Sequence, residues 1–385
     1  MSEKSNNDTS ANESPGTAKP LAGDSPLAPQ PHRRMRQAWN TFMPPLLAIG
    51  IALFLGGVLV AMLGRNPFVV FARLADSIFG SPYGMGQVLF KATTLIGTGL
   101  SVAVAFRAGF FNIGVEGQMY LGGLAAGVVA LWIPEQVPGF FGALIVLCAA
   151  AVAGGIWGAI PGALKAWLGV HEVINTIMMN FIAFALGSWL LVEHLALFET
   201  LHTAEIPVAT QLARLESFLP MFRGAPVNLM LVLQIVFCAV CWVLLWRTRW
   251  GFELRAVGQS STAAGVAGIP VRRRMVEAMA LSGAVAGISA ANFVLGYKHY
   301  FEEGFTAQAG FKGIAVSLLG GNHPFGVIPA ALLFGGLDRG GFAINALVPK
   351  EIVDIMQAMV ILLVIVLVPA LARRRLRRQA KARGA

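Results

Sequence analysis

The chain has 385 residues, of which 56% are hydrophobic and 12% are charged, and its mean hydropathy is +0.68. Soluble proteins carry roughly a quarter of charged residues, so this composition excludes a soluble globular protein and indicates an integral membrane protein. The net charge of +10 lies in basic blocks at the ends of apolar runs, which orient a protein in a membrane and contact anionic lipid headgroups. This placement argues against binding to nucleic acid.

The N-terminal residues 1–40 are rich in Ser, Asn, Pro, Ala and Gly and precede the first apolar run. A signal peptide would carry its apolar stretch much nearer the start, so we predict a disordered cytoplasmic tail held inside by nearby arginines. The transmembrane permease domain is expected over 41–372, and a basic cytoplasmic tail over 373–385. Both termini are therefore predicted to face the cytoplasm of a cell whose inner or plasma membrane holds the chain.

Apolar runs of the length needed for a membrane helix, roughly 20 residues, recur along the chain. Their bounds are Pro44–Leu63, Val88–Phe106, Ile113–Ile133, Phe140–Ile160, Val173–Val192, Val227–Trp246, Met275–Leu295 and Ile352–Leu371. A further stretch, Phe311–Ala343, is cut by Gly320–Pro324 and is predicted to form two short helices that either both span or re-enter. The expected fold is all-α and polytopic, with about ten membrane segments.

The loops between these runs predict their sidedness. The long loop Glu193–Pro226 has no excess of basic residues and suits the outer side, whereas the arginine-rich loop 247–274 suits the cytoplasmic side. Gly154, Gly158 and Gly162 recur every fourth residue, as do Gly283 and Gly287, and this spacing predicts close helix packing in a bilayer.

The stretch 106–123 has the highest density of polar residues among glycines and phenylalanines. Amide and carboxylate groups there could bind a polar solute while a phenylalanine covers a planar part of it, because polar groups at membrane depth usually face a cavity or a neighbouring helix. The alternative is that Asn112 caps a helix and Glu116 favours its positive N-terminal end, and both can hold at once. The residues assigned to a solute pathway are Phe110, Phe111, Asn112, Glu116 and Gln118.

A second polar set lies at the start of the fifth run, where Asn175 and Asn180 are added to the predicted pathway. Their spacing places them on different faces of a helix, so only one needs to face a pore. The other carboxylates, Glu277, Asp338 and Asp354, lie near segment ends and suit interfacial or helix-pairing roles. Glu116 is therefore the candidate for a proton-coupling carboxylate.

Within the loop 247–274, a short helix is predicted from local signals. Ser260 or Ser261 can accept a backbone N–H at its start, Gly268 suits the left-handed residue that ends it, and Pro270 prevents continuation. The small residues between them predict a smooth face for a partner. The alternative is a solvated connector without a partner.

Motifs for catalysis or cofactor binding do not occur in the sequence. There is no G-x-x-x-x-G-K-[ST] loop for nucleotide phosphates and no G-x-S-x-G or H-E-x-x-H motif. Cys238 and Cys241 have C-x-x-C spacing without a second pair or a nearby histidine, and small core residues are the better interpretation. We therefore expect no cofactor, no metal and no ATP hydrolysis by this chain itself.

An internal echo joins two distant segments. AGFFNIGV (Ala108–Val115) matches AGFKGIAV (Ala309–Val316) at five of eight positions. Because the copies enter the membrane from opposite sides in the predicted topology, the match favours two inverted-repeat halves. Chance remains the alternative, since Gly and Ala are frequent in this chain.

Four segments in order, FRAGFFNIGVEGQMYLGG, HEVINTIMMN, RAVGQSSTAAGVAGIPVRR and GFKGIAVSLLGGNHPFG, resemble permeases of the branched-chain amino acid and ribose superfamily of ABC importers. Within it, the chain is most similar to permeases of nucleoside uptake systems that work with basic-membrane-protein type lipoproteins. The resemblance covers about residues 45–370 and implies a type II importer-like transmembrane domain.

The resemblance also implies partners: a cytoplasmic ABC ATPase, a second homologous permease forming a heterodimer, an extracytoplasmic substrate-binding lipoprotein, and membrane lipid. Residues 258–268 correspond to the coupling helix that enters a groove of the ATPase. The residues assigned to this contact are Gly258, Gln259, Ser260, Ser261, Ala264, Ala267 and Gly268. Lys312 departs from the family pattern; it is expected either to influence the substrate charge preference or to pair with a carboxylate such as Glu116.

The predicted function is a permease subunit that imports nucleosides or a related sugar-containing solute by alternating access. The alternatives are a secondary carrier driven by an ion gradient through Glu116 and a membrane scaffold that transports nothing, against which the polar residues at membrane depth argue.

Overall fold

A computed structural model describes the backbone of residues 31–383. It also describes the side chains of residues 43, 47–349, 351–367 and 370. The compact unit comprises Pro44–Ala385. The helices are α1 (Pro31–Met62), α2 (Pro67–Phe79), α3 (Pro82–Arg107), α4 (Val115–Leu131), α5 (Gly139–Leu168), α6 (Glu172–Leu190), α7 (Met230–Arg247), α8 (Arg249–Gln259), α9 (Ser261–Val266), α10 (Val271–Ser289), α11 (Ala291–Phe293), α12 (Ala309–Leu319), α13 (Pro324–Ile344) and α14 (Lys350–Arg383).

The predicted membrane runs all coincide with helices. Within residues 31–383, six helical stretches are long and apolar enough to cross a bilayer, and three apolar helices are shorter. The long ones are Pro82–Arg107, Gly139–Leu168, Glu172–Leu195, Met230–Arg247, Val271–Lys298 and Pro324–Ile344. The chain is thus a helical, multi-pass membrane protein, while the total of about ten segments stays a prediction.

Two short helices were predicted over Phe311–Ala343, and the structure differs from that prediction. Only α12 is short, with 11 residues, whereas α13 has 21 and is long enough to span. The predicted break is confirmed at Gly320–His323. Pro329 lies inside α13 without ending it.

The tail predicted over 1–40 falls largely outside the described residues, but its last ten residues belong to α1, which begins at Pro31. Arg, Met, Gln and Ala there are good helix formers, which explains the earlier start. The C-terminal residues 373–383 likewise continue α14.

The centre of the bundle is formed by α3 and α10. Their membrane-length stretches are 78% and 72% buried inside the protein, compared with 28% for α7. The α5 helix crosses α10 at glycines: an added Cβ at Gly154 would meet the Gly283 carbonyl oxygen, and one at Gly287 would meet the Ala150 carbonyl. The close packing predicted from the glycine spacing is therefore confirmed.

The two ends of α3 mark the two ends of the bundle. Near its first turn, Gly86 packs against Ala225 of the long loop 196–229. At its last turn, the carbonyl of Arg107 packs against Gly258 of α8. The long loop and the α8–α9 pair therefore lie at opposite ends, which we call the loop end and the α8–α9 end.

Candidate functional site

A non-helical segment, His299–Gln308, interrupts the second half of the bundle. The chain leaves α11 through a π-helical turn (Val294–Lys298) and resumes as α12 at Ala309. Left-handed backbone occurs in this segment at His299 (φ 64°), Ala307 (φ 46°) and Gln308 (φ 64°), which are not glycines. Such conformations are uncommon outside glycine and concentrate at functional sites.

This segment runs beside α4, with Phe301 and Phe305 buried and Ala307 and Gln308 exposed. Phe301 packs on Gly127, Phe305 packs on Gly123, and Gly310 packs on Glu116. The distance from Gly127 to Glu116 along a helix is about 16 Å, roughly half of a bilayer core. Irregular backbone is tolerated at that depth only where it is buried in protein or lines a cavity.

The loop end holds the segment by main-chain pairing. Thr203 N–H donates to the Phe301 carbonyl (2.9 Å), and Ile206 N–H donates to the His299 carbonyl (2.8 Å). His202 and Glu302 form an isolated antiparallel bridge. The long loop is therefore mechanically connected to the non-helical segment, and a displacement of one requires movement of the other.

Glu116 caps α12 rather than its own helix. Its carboxylate accepts from the backbone N–H groups of Gln308 (3.0 Å) and Gly310 (2.5 Å), and Thr306 adds a side-chain hydrogen bond. The prediction that it lies in the first turn of α4 is confirmed. Lys312 does pair with a carboxylate, as one of its two predicted roles required, but its partner is Asp338 and not Glu116.

We expect Glu116→Ala to destabilise the permease by about 1–3 kcal/mol, because it leaves the buried N–H group of Gly310 and the partly buried N–H group of Gln308 without their acceptor. Glu116→Gln should lose less, since the amide retains one oxygen. Thermal unfolding of the purified permease in detergent measures both. Equal, unchanged melting temperatures for wild type and Glu116→Ala would contradict this capping role.

Asn112 and Gln118 belong to a buried hydrogen-bond network. Asn112 Nδ2 donates to Gln118 Oε1 (2.9 Å) and to Ser282 Oγ (2.9 Å), while its Oδ1 accepts from Gly114 N–H (2.9 Å). Asn112 precedes α4, whose N-cap is Gly114, so it neither caps the helix nor shares a helical face with Glu116. These amides hold the turn between α3 and α4, and a role in the pathway stays a prediction.

Asn180 also holds this turn. It donates to the Ile113 carbonyl (3.0 Å) and accepts from Gly117 N–H (2.9 Å). Asn175 is buried and donates to the Pro161 carbonyl (3.3 Å). Both asparagines therefore face neighbouring helices, whereas the sequence required only one of them to point inward.

The two phenylalanines of the stretch differ in surroundings. Phe110 is only 3% exposed and belongs to the core. Phe111 is half-buried and stacks edge-on against Phe106, at 5.4 Å between ring centroids. Neither ring lines the central cavity described next.

That cavity, of about 110 Å³, lies between α3, α4, α12, α13 and the non-helical segment. It is smaller than the roughly 300 Å³ at which small-molecule sites begin, so the cavity is contracted relative to a solute of that size. Its polar lining residues are Lys91, Thr94, Thr306, Lys312 and Asp338. Larger clefts at the periphery, such as the one bounded by Leu53, Leu74 and Phe79, are apolar and suit lipid chains.

Aromatic rings form one side of the cavity. Phe90, Phe293 and Phe305 line it, and Phe293 lies 5.4 Å from Phe305 between centroids. Tyr120 supports Phe305 from behind at 6.2 Å in a nearly parallel arrangement. The cavity thus combines flat apolar surface with convergent polar groups, as ligand sites usually do.

Lys312 and Asp338 pair across the cavity wall. Lys312 Nζ lies 2.6 Å from Asp338 Oδ1, and the side chains are 21% and 12% exposed. Gln357 donates to the same Oδ1 (2.8 Å). Asp338 therefore joins α13 to α12 through Lys312 and to α14 through Gln357, which is the helix-pairing role predicted for it.

Sequence reasoning missed most of this lining. The missed lining residues lie in α3 and α11, inside or beside apolar runs without an obvious motif; they are Phe90, Thr94 and Phe293. Asn292 of α11 lies behind them. Asn292 donates to Thr94 Oγ1 (2.8 Å) and is fully buried. A buried asparagine in a membrane run was a usable signal, since intramembrane polar residues mark functional sites.

The α8–α9 pair, at the other end of the bundle, is a second candidate functional element. Ser260 Oγ accepts from Ala263 N–H (3.2 Å) to start α9, and Gly268 has φ 79° after its end, which confirms the predicted signals. The helix α8 was not predicted. Thr248 caps it, accepting from Gly251 N–H (3.0 Å).

The helix α9 presents a small exposed face. Val266 is 87% exposed, and Ser261, Thr262 and Ala267 are exposed as well. Ala264 was also assigned to the partner contact, but it is only 4% exposed and points into the protein. It therefore does not belong to the exposed face.

Charged residues fix α8 against α10. Glu253 accepts from Arg249 (3.0 Å) and lies 2.7 Å from Arg274. The hydrogen bond from Arg274, opposed by partial burial and assisted by Arg249, lowers the pKa of Glu253. Glu277 joins the cluster by accepting from Trp250 Nε1 (2.6 Å).

Close contacts connect the α8–α9 end to two turns, the one between α3 and α4 and the one between α12 and α13. An added Cβ at Gly109 would lie 3.1 Å from Gly258 Cα. Arg107 donates to the Asn322 carbonyl (2.9 Å) in the α12–α13 turn and lies 5.0 Å from the Trp246 ring. A displacement of α8 would therefore reach the turn before α4 through Gly258, and the turn before α13 through Arg107 of α3.

Residues 84–366 match the family of branched-chain amino acid transport system permease components. The guanosine ABC transporter permease protein NupP of Bacillus subtilis is 38% identical over 83% of this chain and 92% of that protein. The nucleoside ABC transporter permease protein NupB of Lactococcus lactis is 32% identical over 86% and 93%. The glucose ABC transporter permease protein TsgB13 of Haloferax volcanii is also 32% identical, over 86% and 89%.

Proposed function

The chain belongs to the family of branched-chain amino acid transport system permease components, and from this premise we propose that it imports nucleosides, or a related sugar-containing solute, as the membrane subunit of an ATP-binding cassette importer. The names of two relatives, a guanosine and a nucleoside permease, support this solute class. The observation that carries the proposal is the central cavity, where aromatic rings face an ion pair beside an irregular membrane segment.

The proposed mechanism is alternating access between two inverted halves. Interrupted segments at matching positions of two halves are typical of transport sites near the bilayer midplane. Here α12 begins on the carboxylate of Glu116 in α4, which supports a pseudo-symmetric junction of the two echoed segments. Movement of His299–Gln308 would open the contracted cavity toward the loop end, and movement at the α8–α9 end would open it to the other side.

Energy would come from a cytoplasmic ABC ATPase that receives α9 in a groove. In this arrangement the α8–α9 end and both termini face the cytoplasm of the cell, whose inner or plasma membrane holds the chain. A second homologous permease completes the membrane unit, and an extracytoplasmic binding lipoprotein delivers solute to the loop end. The exposed face of α9 supports this route, and so do two further contacts: Gly258 of α8 packs against the turn at Gly109, and Arg107 of α3 donates to Asn322 in the α12–α13 turn.

We expect proteoliposomes with the complete importer to accumulate guanosine or uridine only when ATP is supplied on the α8–α9 side. Labelled solute inside the vesicles gives the measurement, and a nonhydrolysable ATP analogue is the control. Uptake of glucose but of no nucleoside would overturn the proposed solute class.

The same vesicles test a secondary carrier driven through Glu116. That rival expects uptake with a proton gradient and no ATP, and loss of it in Glu116→Gln. The backbone hydrogen bonds to Glu116 favour a structural role, so we expect no uptake under those conditions.

A further inference from the structure

The ion pair in the central cavity leaves hydrogen-bonding capacity unused. Both partners of Asp338, Lys312 and Gln357, contact Oδ1. Among the described residues, Oδ2 accepts no hydrogen bond, and the Lys312 ammonium has two N–H donors beyond the one that it gives to Asp338. One acceptor and two donors therefore stand side by side on the cavity wall.

A third donor comes from Thr94. Asn292 donates to Thr94 Oγ1 (2.8 Å), so the hydroxyl oxygen already serves as an acceptor and its proton is available for donation. Asn292 is itself held by Asn228, which donates to its Oδ1 (3.0 Å). This chain of side chains fixes Thr94, a residue that lines the cavity.

Burying the Lys312–Asp338 ion pair costs free energy, which suggests that the pair has a functional role. Separating two charges from water at membrane depth costs several kcal/mol for each ion, and apolar side chains of similar volume would pack without that cost. The pair itself carries no net charge, so an uncharged solute can bind to it without leaving either ion unpaired. The other charged group of the lining, Lys91, lies over the Phe342 ring at 4.9 Å from its centroid. A carboxylate oxygen beside an ammonium matches two neighbouring hydroxyl groups, one donating and one accepting.

We propose that Asp338 and Lys312 are solute-binding residues that recognise the vicinal 2′- and 3′-hydroxyl groups of an uncharged ribonucleoside, with the base against Phe90, Phe293 and Phe305. This inference rests on the proposed function and deepens it. The ribose of the solute lies against α12 and α13, and the base lies against α3 and α11. A deoxynucleoside lacks one of the two hydroxyl groups, so Asp338 Oδ2 or a Lys312 N–H group is left without a hydrogen-bond partner and the solute is rejected.

The test compares uridine with 2′-deoxyuridine and 3′-deoxyuridine, in wild type and in Asp338→Asn. Wild type should prefer uridine by about tenfold in kcat/KM for uptake, as expected for a hydrogen bond to a charged group. In Asp338→Asn the preference should fall close to onefold. Because the same binding lipoprotein serves both variants, a changed ratio belongs to the permease.

Direct binding of the three nucleosides to the permease and ATPase in nanodiscs, without the lipoprotein, gives the same comparison independently. Lys298→Met is the matched control, because Lys298 pairs with Glu302 (3.5 Å) outside the cavity. It should retain the tenfold preference. The double variant Lys312→Met with Asp338→Leu removes the pair without stranding a charge, so it should fold and show no preference.

The outcomes separate the two proposals. Failure of wild type to take up any nucleoside overturns the proposed function. Uptake of uridine with the same ribose preference in wild type, Asp338→Asn and the folded double variant overturns only the assignment of Asp338 and Lys312.

Discussion

Charges on the exposed face of α9 are expected to abolish uptake while leaving the permease folded. In Val266→Glu with Ala267→Glu, both new carboxylates project from a face on which Val266 is 87% exposed, so the isolated subunit tolerates them. In the assembled importer they would be buried in the ATPase groove. An unpaired charge in an interface costs about 2–5 kcal/mol, enough for at least a tenfold loss of assembly.

Two measurements check this result: co-purification of the ATPase with the tagged permease, and ATP-dependent solute uptake. Gln136→Arg is the control, since Gln136 is exposed in the turn between α4 and α5. Ala264 is unsuitable for the test because it packs inward. Wild-type uptake by the double variant would remove α9 from the coupling route.

Gly283→Val is expected to prevent folding of the permease. A Cβ at Gly283 would meet the carbonyl oxygen of Gly154, and backbone on both sides of the crossing prevents relief by a side-chain rotation. Overpacking a core costs about 1–3 kcal/mol when side chains can adjust, so a clash with backbone should exceed this range.

Size-exclusion chromatography and thermal unfolding of the purified protein provide the measurement. Gly50→Val is a matched control, because Gly50 lies in α1 with no atom within 4 Å of an added Cβ. We expect it to retain the wild-type elution profile and melting temperature. A monodisperse Gly283→Val protein with unchanged stability would show that the two helices can separate at little cost.

Much of the scaffold could be predicted because lipid imposes simple rules on sequence. Apolar length located the membrane helices, and glycines at intervals of four residues predicted close helix packing, although not that α5 and α10 are the helices that meet there. Capping chemistry located α9 from Ser260 and Gly268. Each of these signals is local, so neighbours in the sequence suffice to show it.

The candidate site could be predicted only in part, because its contacts join distant residues. Glu116 and Lys312 were both singled out, yet their partners, the α12 backbone and Asp338, could not be paired with them from composition or spacing. The cavity lining in α3 and α11 was missed because a phenylalanine in an apolar run looks the same whether it faces lipid or a cavity. Asn112 and Gln118 were noticed as polar, but their spacing does not show that they bond to one another or that Asn112 also bonds to Ser282, 170 residues later.

The cap on α12 has a consequence for biosynthesis. The N–H groups of Gln308 and Gly310 find their acceptor 192 and 194 residues earlier in the chain, on Glu116. With 11 residues, α12 is too short to cross a bilayer alone, and its uncapped start would be costly in lipid. We therefore expect α12 to reach its final position only after α4 has inserted. Because α4 is synthesised first, its Glu116 is already in the membrane when α12 leaves the ribosome.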